Sequence, residues 1–339
     1  MRILPVTVGL ASLAFVSLQA PAQAQSCEID RPVVFAGLDW DSNAFHSALA
    51  QYIIEHGYGC KTDLIPGSTI PLLNGMARGD IDVTMEIWKD NVTEAWNKAV
   101  DAGQVVEVGT NFPDAVQAWF VPKYLVEGDD APAKGLKSVA DLPKYKELFA
   151  DPEEPGKGRF YNCIAGWGCE VVNTKKFNAY GLGEHYTNFR PGTGAALAAA
   201  IESNIKRKKP IFFYYWGPTW VLGKVGDQVV QLEEPAYDKE TWEAMGAAEN
   251  PTKVTAYPIV EVTIGANKAF ADQAPKLIAF LKKYETTNAL VSQALAYMQD
   301  TGGSAEDAAK NFLKENEAMW TSWVPADVAD RVKSALSQS

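Results

Sequence analysis

The stretch Gly79-Asp80-Ile81-Asp82-Val83-Thr84-Met85-Glu86-Ile87-Trp88 decides how the chain reads as a fold. A glycine turn runs into apolar and β-branched residues, which predicts a buried strand ending at a tryptophan. Upstream, Val33-Val34-Phe35-Ala36 and Thr62-Asp63-Leu64-Ile65 read as two further strands. Between them a helix is expected with Phe45, Leu49 and Ile53 on its apolar face, Ser42 able to cap it and Gly57 to stop it. A second helix is expected from about Ser68 to Ala77. This βαβαβ order favours a parallel sheet with right-handed crossovers. Ligands of such sheets sit beyond the carboxyl ends of the strands. Trp40 and Trp88 both fall just past a strand end.

Downstream, a second unit begins near Val116-Gln117-Ala118-Trp119-Phe120-Val121. A Pro-, Gly- and charge-rich stretch from Glu127 to Gly158 reads as irregular, before Arg159-Phe160-Tyr161-Asn162. Gly192-Thr193-Gly194 opens an alanine-rich helix, Ala195 to Asn204, and the bases from Lys206 to Lys209 suit its carboxyl end. Ile211-Phe212-Phe213-Tyr214-Tyr215-Trp216 is a buried strand that again ends at a tryptophan. Alternation around Ile259 to Ile264 predicts a strand on the path between the units, and the rest reads as helical. Trp320 and Trp323 share one helical face and read as packing anchors.

At the amino end, Arg2, the apolar run Ile3 to Leu18, and Pro21-Ala22-Gln23-Ala24 have the form of an export signal cleaved after Ala24. An oxidising, periplasmic location follows as the expectation. Acidic residues number 42 against 31 basic ones, and the formal charge is -11. That balance argues against nucleic acid or an anionic membrane as partner. In an oxidising compartment four cysteines imply two disulfides, with three possible pairings. Cys163 and Cys169 enclose only five residues, two of them glycine, and can close a small loop. Cys27 and Cys60 each precede a strand, and parallel neighbours would place them at one sheet edge. The expected pairs are therefore Cys27–Cys60 and Cys163–Cys169. His46, His56 and His185 offer no metal-ligand spacing, so no metal and no cofactor are expected. With no free thiol, no Gly-x-Ser-x-Gly elbow and no P-loop, the chain does not read as an enzyme.

Trp40, Trp88, Trp167 and Trp216 stand at strand ends or in a glycine loop. Gly166 and Gly168 flank Trp167 inside the cysteine loop, so the ring can be presented while nearby backbone N–H groups stay open to an anion. A trimethylammonium group has no proton to donate, and indole faces within about 6 Å attract it through their quadrupole. Such a loop can serve both ends of a zwitterion.

Three motifs carry a family likeness: Cys163-Ile-Ala-Gly-Trp-Gly-Cys169-Glu170, the aromatic run from Ile211 to Trp220, and Gly79-Asp-Ile-Asp-Val with Glu86-Ile-Trp88. Together they resemble the periplasmic glycine betaine/choline-binding proteins of ABC importers. The resemblance implies a type II periplasmic-binding-protein fold, α/β, with two lobes on a two-stranded hinge. Residues 1–24 would be the signal peptide, 25–115 and 236–339 the first lobe, and 116–235 the second. It also implies that Trp88, Trp167 and Trp216 are box tryptophans, with Trp40 as in the choline-binding branch, and that the amides of Gly168 and Cys169 hold a ligand carboxylate. Some betaine binders have a histidine four residues after the first box tryptophan; here Val92 stands there. That change brings trimethylamine N-oxide and choline close behind glycine betaine. Glu86, Asp39 and Asp41 are candidates to offset the cationic charge, and Trp119 to add a fifth ring. The implied partners are a small methylated amine and an inner-membrane ABC permease, with the protein itself a monomer. The alternatives are a sensor that presents the ligand to a chemoreceptor, or a binder of another small zwitterion.

Overall fold

Asp82, inside the deciding stretch, links sequence to topology. Its carboxylate takes two hydrogen bonds from Arg31, at 2.6 and 2.7 Å, and one from the Val34 amide at 2.9 Å. This pins the start of one strand beside another before either reaches the ligand end. Gly79, at φ 88°, ends the preceding helix in the left-handed region that glycine adopts at low cost.

The computed structural model describes residues 27–338, so the expected signal peptide lies outside the described residues. The strands are β1 Val33–Leu38, β2 Thr62–Gly67, β3 Val83–Ile87, β4 Val105–Pro122, β5 Gly158–Tyr161, β6 Tyr186–Phe189, β7 Phe212–Gly217, β8 Val229–Gln231 and β9 Val260–Asn267. Their order is β2-β1-β3-β9-β4-β7-β5-β6, with β8 added on β4. β1 runs parallel to β2 and β3, as the βαβαβ pattern requires, and β5 runs parallel to β6 and β7. These are the two sheets of a two-lobed α/β protein.

β4 belongs to both sheets. It pairs with β9 as far as Ala115↔Val260 and with β7 from Val116↔Gly217. One strand thus crosses between the lobes, and the chain returns along the segment before β9.

Helix Asp41–Tyr58 buries Phe45, Leu49 and Ile53 as the periodicity predicts. Its N-cap is Trp40 and not the expected Ser42. The helix starts two residues earlier, and Asn43 Oδ1 accepts the Leu38 amide and tightens the strand-to-helix turn. Thr193 caps helix Gly194–Lys206, and Ser304 forms a capping box with Asp307 on helix Ala305–Glu315. Both disulfides are paired as expected, Cys27 with Cys60 and Cys163 with Cys169. Trp320 and Trp323 are buried in the core.

Candidate functional site

The carboxyl ends of β1 and β3 supply one side of a cavity between the lobes. Trp40 sits at the turn after β1 and Trp88 directly after β3, and a single side chain braces both. Glu86 Oε2 accepts the indole N–H of Trp40 and that of Trp88, each at 2.9 Å. Glu86 is fully buried. Desolvation raises its pKa, partly offset by hydrogen bonds from Trp88, Trp40 and Ser42. Holding two indoles by their N–H edges fixes their orientation, and a carboxyl group on those edges can place negative charge behind rings whose π-faces suit a cation.

The second lobe supplies the opposite side. Trp167 precedes helix Gly168–Ala179, and Trp216 lies at the end of β7. The Trp40 and Trp167 centroids are 5.1 Å apart, and those of Trp167 and Trp216 are 5.3 Å apart, both edge to face. The Trp167 indole N–H reaches across the cleft to Asp39 Oδ1 at 2.6 Å. The flanking glycines do more than expose this ring. A Cβ on Gly166 would come within 2.9 Å of Ser68 Oγ, and one on Gly168 within 2.9 Å of Asn91 and Val92. Both positions must lack a side chain for the first lobe to approach this closely.

Trp40, Glu86, Trp88, Trp167, Gly168, Cys169 and Trp216 line one cavity, joined by Thr69, Asn91, Val92 and Tyr214. The first amides of helix Gly168–Ala179 have no partner within their own helix and border this space.

Two candidates stand elsewhere. Trp119 does not line the cavity: it is fully buried, packs on Phe160 and Phe212, and donates to Asn173 at 2.7 Å. It shares a sheet face with Gln117 but lies two residues further along β4, about 7 Å deeper at strand rise. There helix Gly168–Ala179 covers it. Asp41 lines an adjoining crevice and not the indole cavity, where Oδ2 accepts the Trp220 N–H across the lobes at 3.1 Å. Burial raises its pKa, an effect the Trp220 bond opposes.

Tyr214 was missed although the strand period of two places it on the same face as Trp216. Trp220 and Asn91 had no such signal, because their partners come from distant segments.

Two sheets whose carboxyl ends face a shared cleft lined by indoles have the architecture of a substrate-binding protein. Residues 31–315 match the substrate binding domain of the ABC-type glycine betaine transport system, and the chain belongs to that family. Its family is one of substrate-binding proteins and not of enzymes. It is 29% identical over 214 residues to the glycine betaine/proline betaine-binding periplasmic protein of Escherichia coli K12, covering 59% of this chain and 62% of that relative's length. It is 21% identical over 298 residues to the trimethylamine N-oxide-binding protein of Pelagibacter ubique, covering 88% of this chain and 92% of the relative. In three dimensions it resembles an ABC-transporter choline binding protein in complex with choline, with a TM-score of 0.70 and 17% identity, covering 94% of this chain and all of that one.

Proposed function

We propose that this protein captures a small methylated ammonium compound outside the cytoplasm and hands it to the permease of an ABC importer. The ligand of first choice is glycine betaine, with trimethylamine N-oxide and choline close behind. The observation that carries this reading is the convergence of Trp40, Trp88, Trp167 and Trp216 on one cavity, three of them with the N–H edge tied to a carboxylate.

The chemistry follows from the cation. A quaternary ammonium has no N–H to donate, so aromatic faces and a nearby negative charge are what can select it. Each desolvated ring contributes roughly 2 kcal/mol, giving four rings about 8 kcal/mol before the cost of association. The amides of Gly168 and Cys169 at the helix start receive the ligand's carboxylate or N-oxide oxygen, where the helix dipole favours negative charge. Asp39 and Asp41, each holding an indole of the opposite lobe, favour the closed arrangement that a permease would recognise by population shift.

No helix among the described residues is long and apolar enough to cross a membrane. The sequence of residues 1–24 has the form of an export signal, which supports a periplasmic site of action.

Calorimetric titration against betaine, trimethylamine N-oxide, choline, carnitine and dimethylsulfoniopropionate tests the reading. The expected affinity for the preferred compound is about micromolar, which corresponds to roughly 8 kcal/mol. Displacement of betaine by lysine or proline, or no heat with any methylated compound, would contradict it.

A further inference from the structure

Asn91, Gln117 and Tyr214 form a hydrogen-bonded chain beside the indoles. Asn91 Nδ2 donates to Gln117 Oε1 at 2.9 Å, and Tyr214 Oη donates to the same oxygen at 2.7 Å. Two amide atoms are left buried without a partner, Asn91 Oδ1 and Gln117 Nε2. Gln117 is paired directly with Trp216 across β4 and β7, and Asn91 and Tyr214 both line the indole cavity. A polar atom shut away from water and unbonded destabilises its site until something bonds it.

The two amides can be turned over with almost no change in shape, since the carbonyl oxygen and the NH2 group are close in size. With both reversed, Gln117 Nε2 donates to Asn91 Oδ1 and to the Tyr214 oxygen. Asn91 Nδ2 then occupies the place its Oδ1 holds in this structure. The pair can therefore present an acceptor in one state and a donor in the other, from a residue that lines the indole cavity and the crevice beside it.

The remaining polar side chains of the cavity are less suited to a ligand's oxygen. Glu86 Oε2 is engaged by two indoles, Tyr214 is bonded to Gln117, and Val92 has no polar atom. Thr69 adds a single hydroxyl at the rim of the same space.

We infer that ligand binding reverses the Asn91 and Gln117 amides, so that Asn91 Nδ2 donates to the ligand's carboxylate or N-oxide oxygen and discriminates it from a hydroxyl. This rests on the indole-box reading and adds to it the side chain that reads the oxygen end. Gln117 acts as a positioning residue, fixing which face of the Asn91 amide the ligand meets.

The test is calorimetry on wild type, Asn91→Leu and Asn91→Asp with glycine betaine, choline and tetramethylammonium, the last having the cationic head without an oxygen. Asn91→Leu should weaken betaine by about tenfold and leave tetramethylammonium within about twofold, since one hydrogen bond to a charged group is lost. Asn91→Asp can only accept, so it should weaken betaine by about a hundredfold while choline stays within a few-fold. Tetramethylammonium binding also reports that each variant is folded; should the leucine variant fail to fold, the aspartate variant decides alone. An unchanged ratio of betaine to tetramethylammonium affinity in Asn91→Leu, or wild-type betaine affinity in Asn91→Asp, would overturn the inference and leave the indole box standing. A wild-type protein that binds none of the three would overturn the box, and the inference with it.

Discussion

The two halves of the indole cavity are built on different principles. On the first-lobe side, Trp40 and Trp88 share Glu86, a buried carboxylate of their own lobe, and need nothing from across the cleft to hold their orientation. On the second-lobe side, Trp167 hangs from a short disulfide loop and is tied by its N–H to Asp39 of the opposite lobe. The first half is braced within one lobe, while the bracing of the second depends on the opposite lobe. On the proposed function, a cation would land on the first half and lobe closure would supply the rest.

The largest expected effect comes from breaking the braced half. Trp88→Ala removes a ring and strips a buried carboxylate of a donor, so it should weaken betaine binding by about 3 kcal/mol or more, over a hundredfold in a calorimetric titration. A loss of less than tenfold would mean that Glu86 does not brace this side. Trp167→Ala removes a ring but strands no buried charge. Its expected loss is about 2 kcal/mol, or roughly thirtyfold; equal losses in the two variants would erase the asymmetry.

Glu86 gives the next effect through pH. Burial raises its pKa, so it takes up a proton at a higher pH than an exposed glutamate does. A bound cation favours the ionised form, so affinity should fall as pH drops through that raised range. Glu86→Gln keeps an acceptor for the indoles and removes the charge. It should bind about tenfold more weakly at neutral pH, the equivalent of one pKa unit, with a flat pH profile in titrations from pH 8 to 5. The sign for stability is the reverse. A carboxyl with a raised folded pKa favours the fold while protonated and loses that contribution as pH rises through its folded pKa. The glutamine variant should therefore melt no lower than wild type at pH 8, and a lower melting temperature would show that the charge supports the fold.

Asp39→Ala should cost only about three- to fivefold, seen mainly as faster ligand release in stopped-flow fluorescence, because a cleft-facing indole N–H can turn to water. A loss as large as that of Trp88→Ala would place the main bracing at the lobe interface. Trp119→Phe should leave affinity unchanged and lower the melting temperature, as the loss of the buried hydrogen bond to Asn173 requires.

The contrast between the halves also marks what the sequence could disclose. Strand ends at Trp40, Trp88 and Trp216 follow from local patterns, because a β-branched run stopped by a turn signals its own boundary. The Cys163–Cys169 loop and Trp167 are legible for the same reason, being complete within seven consecutive residues. Trp119 failed because alternation specifies a face but not a depth along the strand. Asp39 and Asp41 lie two residues apart and meet different indoles, Trp167 and Trp220, contributed by another lobe. Nothing in the spacing of either aspartate encodes which one it meets. The Asn91–Gln117 contact joins residues 26 apart on separate elements, and only the assembled cleft brings them together.

Whether four indole faces enclose one cation is best decided by a crystal structure of the protein with glycine betaine. The quaternary nitrogen should lie within about 6 Å of the ring centroids of Trp40, Trp88, Trp167 and Trp216. A betaine bound outside that cavity, or one contacting the rings of a single lobe in a closed protein, would contradict it.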